Sequence, residues 1–559
     1  MSSLSLALFC LLASHATNAL PTSRRFSARN ARYNDRMRRQ DVTGTIGLGD
    51  NSDLLYTVPI QLGDTTTVVN LDTGSSDLWV ISSNCLQGTC AKSNTTPVPA
   101  KSLTLTGANV TMNYGDSTTA TFATGPVAQD TIAIAGVAID NQLFAAISDT
   151  TNSVVEFGAA GIFGLGFPSE SEIQEAQVTK QFGAQTTTDH FVASTYAAGP
   201  LISRIAETGA LEMPMFSISL QRQTIDISGN GALTLGSLPA GVDNSSVTWV
   251  PVRLYTPAEG GLDPPSFAPK EVYPLRWEID LDAVFIDGKE LAPSTIPATG
   301  GVSSTRMSAL IDTGNSLLRG PQDVVNNILS SVSTNYDGSN VDSATIACAA
   351  AHNLTFQIGG KMFPVDPRDL ITPADANNAQ TCVVDAVVAT DPPSVGALFR
   401  WSLGDPFFKS NLVIFHYGNL TNPSVDPPMI GFLSQVPADA VELLNQAVSS
   451  AVADGGNFQS SIEIAPTLSA EEQAEVTVVP VTASEQAAAE TGAAAKTTPA
   501  AIPTTPAAGA PATAQVPATQ AGSPAPSSPA APKSAGVRVN IGLPVWSMVL
   551  ASVVAAFVW

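Results

Sequence analysis

One short motif occurs twice in the chain, at positions 240 residues apart. The first copy reads Val-Asn-Leu-Asp-Thr-Gly-Ser-Ser over residues 69–76, and the second reads Leu-Ile-Asp-Thr-Gly-Asn-Ser over residues 310–316. In both copies an apolar run, typical of a strand, is followed directly by Asp-Thr-Gly and a polar turn. Asp72 and Asp312 are therefore predicted to stand at strand ends, on tight turns that glycine permits. A single Asp-Thr-Gly can be an ordinary turn aspartate, but matching flanks around two copies argue against chance.

Two carboxyl groups held side by side have a specific chemical use. Adjacent carboxyls cannot easily both ionise, so such a pair shares one proton. The charged member can take a proton from a water molecule as that water attacks a peptide carbonyl. The protonated member can stabilise the developing oxyanion and then help to protonate the leaving amine. Asp72 and Asp312 are the candidate catalytic residues, and this chemistry requires neither a metal ion nor a cofactor.

Size and composition predict a large folded protein. The chain has 559 residues, of which 44% are hydrophobic and only 13% charged, so two or more lobes are expected. From about residue 42 to residue 435, short runs rich in Val, Ile, Thr and Phe alternate with turn residues. Helical periodicity is confined to segments around residues 201–208 and 322–333. The predicted fold class is mainly β, and the net charge of −23 argues against a nucleic-acid partner.

The N-terminal residues differ in composition from the rest of the chain. Residues 1–19 form an apolar stretch with small residues near its end, which predicts a signal peptide, although no basic residue precedes the apolar run. Residues 20–39 carry seven arginines against one acid. We interpret them as a basic pro-segment that neutralises carboxylates in a cleft and is removed after Arg38-Arg39. The alternative is a solvated basic tail.

The C-terminal residues change composition twice. Residues 441–535 become rich in Ala, Pro, Thr and Ser, which predicts an extended, disordered stalk suited to O-glycosylation. Residues 536–559 end in an apolar tail with no basic residues after it, which favours a GPI-attachment signal over a membrane helix at the chain end. Residues 534–536 and Asn540 offer attachment sites. The predicted location is the cell surface or cell wall, with a released extracellular form as the alternative.

Cysteines and sequons agree with the secretory route. Cys10 lies in the predicted signal peptide, and of the other four cysteines the short spacing favours a Cys85–Cys90 disulfide, which leaves Cys348–Cys382. No Cys-x-x-Cys pair is present, so a zinc ribbon is not expected. Five Asn-x-Ser/Thr sequons predict glycosylation at Asn94, Asn109, Asn244, Asn353 and Asn419.

Five further motifs accompany the two Asp-Thr-Gly copies. They are Leu78-Trp79-Val80, Asn113-Tyr114-Gly115-Asp116-Ser117, Gly161-Ile-Phe-Gly-Leu-Gly166, Leu317-Leu-Arg-Gly-Pro321 and Trp401-Ser-Leu-Gly-Asp405-Pro-Phe-Phe408. With them the chain resembles, over about residues 50–435, the pepsin family of aspartic proteases and specifically its fungal, GPI-anchored branch. The resemblance implies a bilobal β fold with an N-terminal lobe (residues 40–240), a C-terminal lobe (residues 241–440) and an active-site cleft between them. It also implies a monomer that cleaves protein or peptide substrates at acidic pH.

Residue roles in the flap follow from the same resemblance. Tyr114, Gly115 and Asp116 correspond to the flap, the mobile hairpin that closes over the substrate, and the Tyr114 hydroxyl is expected to bond toward Trp79. Ordinary aromatic packing is the alternative for that pair. An acid at position 116 predicts that the enzyme accepts Lys just before the cut bond as well as large apolar residues. The alternative for Asp116 is a solvated turn acid.

Residues around the two aspartates are also assigned roles by the resemblance. Ser75 is expected to hold the outer oxygen of Asp72, and Gly74 and Gly314 to let backbone amides approach the carboxylates. Thr73 and Thr313 complete the two supporting turns. Asn315 departs from the family, which has a hydroxyl residue there that bonds the second aspartate. Because a side-chain amide can also donate a hydrogen bond to Asp312, activity is expected, with a shifted pH optimum.

The separation of the two motifs is longer than is usual in the family. The additional residues are predicted to form surface loops near the cleft, at residues 169–209 and 255–273. These loops are expected to alter specificity.

Other functional classes fit the sequence less well. A serine or cysteine hydrolase is disfavoured because the chain has only four histidines. It has neither Gly-x-Ser-x-Gly nor His-Glu-x-x-His, the usual signals of an esterase and a zinc protease. A two-carboxylate glycosidase leaves Trp79 and the flap-like segment unexplained. An inactive pepsin-like protein that binds a partner at the cell wall is the alternative from another class, and retention of both motifs argues against it.

Overall fold

A computed structural model describes residues 42–115, 120–183, 188–297, 306–390, 400–463 and 476–479. The predicted signal peptide, pro-segment and attachment signal lie outside the described residues, as does Asp116. Within the described ranges most regular structure is β-strand, which confirms the predicted mainly β, bilobal fold.

The N-terminal lobe is built on an eleven-stranded sheet. In spatial order its main path is Ile462–Glu463, Gly49–Asn51, Tyr56–Leu62, Thr65–Asp72, Gly161–Gly164, Leu78–Ile81, Val137–Ile147, Thr121–Ile134 and Thr104–Tyr114. Two short strands complete it, Asp149–Thr150 on Thr121–Ile134 and Thr477–Val479 on Val137–Ile147. The strand that ends at Asp72 is central and almost wholly buried toward that end, so the first aspartate is carried by a rigid element.

A six-stranded sheet draws strands from both lobes. Its order is Gly44–Gly47, Ala232–Leu235, Met215–Ser219, Asn411–His416, Met429–Ser434 and Thr248–Pro251. Strand Met215–Ser219 of the first lobe pairs antiparallel with Asn411–His416 of the second. Backbone hydrogen bonds therefore join the lobes beneath the cleft, and aromatic rings including Phe216, Trp277 and Phe415 pack at this junction.

The C-terminal lobe contains three smaller sheets. The five-stranded sheet runs Glu278–Asp280, Ser308–Ile311, Trp401–Leu403, Leu318–Pro321 and Val387–Thr390. The four-stranded sheet runs Lys289–Glu290, Ala283–Ile286, Leu354–Ile358 and Lys361–Pro364, and the three-stranded sheet runs Thr345–Ala347, Thr381–Val383 and Thr372–Pro373. Strand Ser308–Ile311 is fully buried and ends directly before Asp312, which mirrors the placement of Asp72.

The α-helices are short and few in the described ranges. They are Glu172–Phe182, Thr188–Ala193, Thr195–Ala198, Leu201–Glu207, Gln322–Val332, Asp405–Ser410 and Ala440–Ala453. The two helices predicted from periodicity are confirmed at Leu201–Glu207 and Gln322–Val332.

The prediction of a surface loop over residues 169–209 is wrong. Four helices occupy the described part of this segment, and all but the last residue of Leu201–Glu207 are buried in the lobe. Helix Glu172–Phe182 begins at a genuine N-cap, because the Ser171 hydroxyl accepts a hydrogen bond from the amide of Gln174. Residues 255–273 do form a loop, which an antiparallel bridge between Tyr255 and Tyr273 closes at its base.

The folded part of the chain also continues past the predicted start of the stalk at residue 441. Helix Ala440–Ala453 buries Leu444, Val448 and Ala451, and strands Ile462–Glu463 and Thr477–Val479 add to the N-terminal sheet. The apolar stripe of the helix requires a packing surface, so these residues belong to the globular body. The rest of the predicted stalk lies outside the described residues.

Candidate active site

The two Asp-Thr-Gly motifs meet at the centre of the molecule. Asp72 is the last residue of strand Thr65–Asp72, and Asp312 directly follows strand Ser308–Ile311. Each carboxyl therefore projects from a buried strand end. Equivalent strands support the two loops from the side: Gly164 is in parallel register with Asp72, and Ile311 is in parallel register with Leu403. The site is therefore built by two similar halves, one from each lobe.

Two threonines join the two halves of the site by hydrogen bonds. The Thr73 hydroxyl donates to the carbonyl of Ile311 at 2.7 Å, and the Thr313 hydroxyl donates to the carbonyl of Leu71 at 3.1 Å. Each hydroxyl also accepts from the other threonine's amide, at 3.0 Å and 3.1 Å. Because both residues are almost completely buried, these four bonds fix the separation and angle of the two loops.

Asp72 is held as an acceptor by three donors. Its Oδ1 accepts from the amides of Gly74 at 2.9 Å and Ser75 at 3.2 Å, and its Oδ2 accepts from the Ser75 hydroxyl at 2.5 Å. Burial raises the pKa of Asp72, and the bonds from Ser75 and Gly74 oppose that rise because they favour the charged form.

Among the described residues, Asp312 accepts fewer hydrogen bonds from backbone amides and hydroxyls than Asp72 does. Its Oδ1 accepts from the Gly314 amide at 2.9 Å. Burial, followed by the charge of Asp72, raises the pKa of Asp312 to about 7. The pair therefore holds a shared proton most readily on Asp312 while Asp72 remains the better-supported carboxylate.

Gly74 and Gly314 each lie against the opposite aspartate. A methyl group on Gly74 would approach Oδ1 of Asp312 to 2.4 Å, and one on Gly314 would approach Oδ1 of Asp72 to the same 2.4 Å. Only a residue without Cβ leaves room for the opposite carboxyl at each of these two positions, which explains the glycine in both motifs.

The flap residues lie above Asp72. Tyr114 is the last residue of strand Thr104–Tyr114, and its hydroxyl accepts a 2.8 Å hydrogen bond from the indole N–H of Trp79. Burial and then the charge of Asp72 raise the pKa of Tyr114 well above its ordinary value, so this hydroxyl stays neutral. Gly115 follows with a φ of 84°, a left-handed conformation that suits glycine.

Asn315 does not bond Asp312, contrary to the expectation from its amide. Its Nδ2 donates to the hydroxyl and carbonyl oxygens of Ser402, at 2.9 Å and 3.3 Å. Its Oδ1 accepts from the amide of Leu317 at 3.2 Å and from Nε of Arg319 at 3.1 Å. The longer side chain reaches past the aspartate to the neighbouring strand.

Sequence reasoning missed several residues that support the site. Asp77 is buried behind the first loop, where it accepts from the hydroxyl of Ser171 at 2.5 Å and from the amide of Glu172 at 2.7 Å. The amide of Leu165 donates a hydrogen bond to the carbonyl of Asp72. The carbonyl of Leu165 in turn accepts hydrogen bonds from Trp277 Nε1 and from the Tyr417 hydroxyl. Asp77 was detectable as an acid directly after the first motif's two serines, whereas the two aromatic contacts carry no local signal.

The remaining predicted residues lie away from the dyad, by which we mean Asp72 and Asp312. The disulfides Cys85–Cys90 and Cys348–Cys382 are both present. The sequon asparagines are exposed, at Asn94, Asn109, Asn244, Asn353 and Asn419.

Two negative findings apply to the described part of the chain. There, no three or more His, Cys, Asp or Glu side chains are grouped so as to hold a metal ion. None of the helices described has the length and apolar character needed to cross a membrane.

Two β-rich lobes that each contribute one aspartate, on matching Asp-Thr-Gly turns, are typical of hydrolases that use a pair of catalytic aspartates. The sequence model of the eukaryotic aspartyl protease family matches residues 55–423, and the chain belongs to this family. It is accordingly an aspartic endopeptidase of the pepsin type.

Curated relatives come from animals and fungi. The chain is 28% identical to pepsin A of Sus scrofa over 383 residues, which covers 67% of this chain and 78% of the relative. It is 24% identical over 430 residues to major aspartyl peptidase 1 of Cryptococcus neoformans var. grubii, with 73% and 75% covered. Cathepsin E of Mus musculus is 28% identical over 375 residues, with 66% and 79% covered.

Proposed function

We propose that this enzyme hydrolyses peptide bonds through Asp72 and Asp312, which together activate a water molecule, at acidic pH and after secretion. The observation that supports this most strongly is the asymmetric support of two facing carboxyls. Asp72 accepts three hydrogen bonds, whereas Asp312 accepts one from Gly314 and has its pKa raised to about 7. One group is thus suited to be the base and the other the acid.

Each step can be assigned to an oxygen of the dyad. With one proton shared, the Asp72 carboxylate withdraws a proton from water as the water oxygen attacks the scissile carbonyl carbon. The Asp312 carboxyl donates to the carbonyl oxygen as negative charge develops there. Asp72 then passes the proton it took from water to the amide nitrogen, and the C–N bond breaks as the oxyanion re-forms a carbonyl. The amine and the new carboxyl group leave, and the dyad again holds one proton, on Asp312.

Tyr114 and Trp79 are proposed to close the site over the substrate. The bond between them holds the hairpin end beside Asp72, where a closed flap would exclude bulk water and strengthen the electrostatic interactions of the dyad. Asp116, which follows Gly115 in the sequence, is proposed to accept Lys before the cut bond. Asp116→Thr should reduce cleavage after Lys and spare cleavage after Phe or Leu, and equal loss at both would reject that role.

The functional proposal is tested by cleavage of a mixed peptide library from about pH 3 to about pH 7. The assay is repeated with a peptide analogue that carries a tetrahedral secondary alcohol in place of the scissile carbonyl, since such an analogue mimics the transition state. Cleavage favoured by acid and blocked by the analogue is expected. Absence of cleavage by correctly folded protein would instead favour the partner-binding alternative.

The proposed processing and location of the protein follow from its terminal segments. Residues 1–19 direct secretion, residues 20–39 mask the acidic cleft until they are cleaved, and residues 536–559 direct attachment of a GPI anchor. The mature enzyme is proposed to act as a glycosylated monomer at the cell surface. Release of the protein from intact cells by a phosphatidylinositol-specific phospholipase is expected, and retention after complete digestion of the anchor would contradict it.

A further inference from the structure

The chain continues as helix and strand past residue 423, where the family match ends. Helix Ala440–Ala453 lies on the C-terminal lobe and packs against the short 3-10 helix Pro367–Asp369. Leu444 of the longer helix is buried in the core, and Phe458, which follows that helix, is half-buried against the same core. This first part of the C-terminal segment is therefore attached to the C-terminal lobe.

A turn after this helix brings the chain against a second point of the C-terminal lobe. Gly456 has a φ of 93°, a left-handed backbone conformation, and its amide donates to the carbonyl of Ala451 at 2.8 Å. A Cβ on Gly456 would overlap the carbonyl oxygen of Asn377. Because only glycine suits both the conformation and the close approach, the direction in which the chain leaves this lobe is fixed.

Residues 454–463, which we call the strap, then reach the N-terminal lobe. The amide of Ser461 donates to the carbonyl of Gln223 at 3.2 Å, and the Ser461 hydroxyl donates to the Gln223 side-chain oxygen. Strand Ile462–Glu463, at the end of the strap, pairs antiparallel with strand Gly49–Asn51 of the eleven-stranded sheet. Between its contacts with the two lobes the strap has five residues of chain, which span at most about 18 Å.

The strap ends on a buried group of charges that joins the two lobes. The amides of Gln223 and Thr224 each donate to the Asp53 carboxylate at 2.9 Å, so the residue that the strap bonds also holds an acid of the N-terminal lobe. Lys409 of the C-terminal lobe lies 3.6 Å from this carboxylate and 3.5 Å from that of Asp369. The side chains of these three charged residues are almost fully buried.

Arg222 completes this group, and we use the term interlobe cluster for Asp53, Arg222, Asp369 and Lys409. The Nε and Nη2 atoms of Arg222 donate to the two carboxylate oxygens of Asp369, both at 2.7 Å. Asp369 belongs to the 3-10 helix on which helix Ala440–Ala453 packs. Arg222 directly precedes Gln223, which the strap bonds. The C-terminal segment thus contacts both sides of the interlobe cluster. Separating such buried pairs leaves uncompensated charges, so the cluster permits few relative positions of the lobes.

We propose that the strap sets the width of the cleft by holding the two lobes at one separation through the interlobe cluster. Lobes that meet along a cleft can move relative to one another unless further contacts restrain them. Thr73 and Thr313 join the two catalytic loops independently of the strap. The strap should therefore affect how well a peptide binds between the lobes and leave the chemistry of the dyad unchanged. This consequence for peptide binding rests on the proposed function.

Ser461→Pro is the direct test, because proline has no N–H and the change also removes the hydroxyl that bonds Gln223. Spin labels at Lys101→Cys and Lys289→Cys, two exposed positions on different lobes, report the distance between the lobes in the full chain. The distance distribution from pulsed electron spin resonance should become roughly twice as wide in Ser461→Pro. Gly456→Ala, which strains the exit of the chain from the C-terminal lobe, should also widen it, by less.

Cleavage of a single peptide gives the functional readout. Ser461→Pro should raise KM roughly fivefold and keep kcat within about twofold of the wild type. Gln459→Pro is the matched control, since Gln459 is an exposed strap residue whose amide donates no hydrogen bond to another described residue. It should leave both the distance distribution and KM in place.

An unchanged distance distribution or an unchanged KM in folded Ser461→Pro would overturn the proposal, as would equal changes in Gln459→Pro. The label distances decide it even without activity, whereas absence of cleavage by the wild-type chain would reject the proposed function alone.

Discussion

The indole N–H of Trp79 donates a 2.8 Å hydrogen bond to the hydroxyl of Tyr114. Trp79 is fully buried in strand Leu78–Ile81, next to the Gly161–Gly164 strand that supports Asp72. Tyr114 ends a long strand of the hairpin above the dyad. A rigid residue of the core thus fixes one end of the flap.

Tyr114→Phe should lower kcat/KM roughly fivefold, since it removes one buried hydrogen bond worth about 1 kcal/mol and leaves the Trp79 N–H without its acceptor. Steady-state cleavage of a single peptide measures this effect. Tyr336→Phe removes a comparable 2.7 Å bond to Asn326 on the other lobe and should leave kcat/KM unchanged. Equal losses in both variants would contradict a specific role for the flap contact.

Ser75→Ala should move the acid limb of the activity profile to higher pH by about one unit. The Ser75 hydroxyl favours the charged form of Asp72, so its loss raises the pKa of Asp72 and the dyad gains its second proton at a higher pH. The profile of kcat/KM between about pH 2 and about pH 7 tests the shift. Ser76→Ala is the adjacent control, because that hydroxyl donates to the Phe167 carbonyl at 2.7 Å. An acid limb that stays in place in Ser75→Ala would count against the assignment of Asp72 as base.

Asp50 makes the fold sensitive to rising pH. Burial, followed by the charge of Asp53, raises the pKa of Asp50 from 3.8 to about 8, and Oδ2 of Asp50 has no hydrogen-bond partner among the described residues. A carboxyl whose pKa is raised by folding contributes stability that is fully present below pH 3.8 and is lost as the pH rises toward 8. Asp50→Asn, which cannot ionise, should therefore lose less stability between acid and neutral pH, by about 1–3 kcal/mol.

Urea unfolding at about pH 4 and about pH 7 measures that difference in the free energy of unfolding. Asp64→Asn, at an exposed turn of the same sheet, is the control and should behave as the wild type does. If Asp50→Asn and the wild type lost equal stability between the two pH values, ionisation of Asp50 would not be the cause.

Helix Ala440–Ala453 should stabilise the protein although it lies beyond the predicted lobe boundary. Leu444 is completely buried on this helix, so Leu444→Ala should cost about 2–4 kcal/mol through lost burial and a cavity. Val441 on the same helix is 54% exposed, and Val441→Ala should change stability by less than about 0.5 kcal/mol. Urea unfolding of both variants measures the two changes in the free energy of unfolding. If residues 440–453 were part of an unpacked stalk, both changes would be equally small.

What the sequence could predict was largely local. The two Asp-Thr-Gly turns and their strands were predictable because strand, aspartate and glycine are consecutive in the chain. Helix Glu172–Phe182 was not, since it buries a glutamine, Gln174, beside only two apolar residues and shows little periodicity. The direction of the Asn315 amide depends on Ser402, 87 residues away, and is set by strand register.

The central claim is that Asp72 and Asp312 act as one unit, and the kcat/KM of Asp312→Asn at acidic pH tests it most directly. Asparagine preserves the shape of the side chain but cannot supply the proton. A loss of at least about a thousandfold in a folded variant is expected, matched by Asp72→Asn, because residues that act as a unit fail together. Activity of folded Asp312→Asn within about tenfold of the wild type would contradict the two-aspartate mechanism.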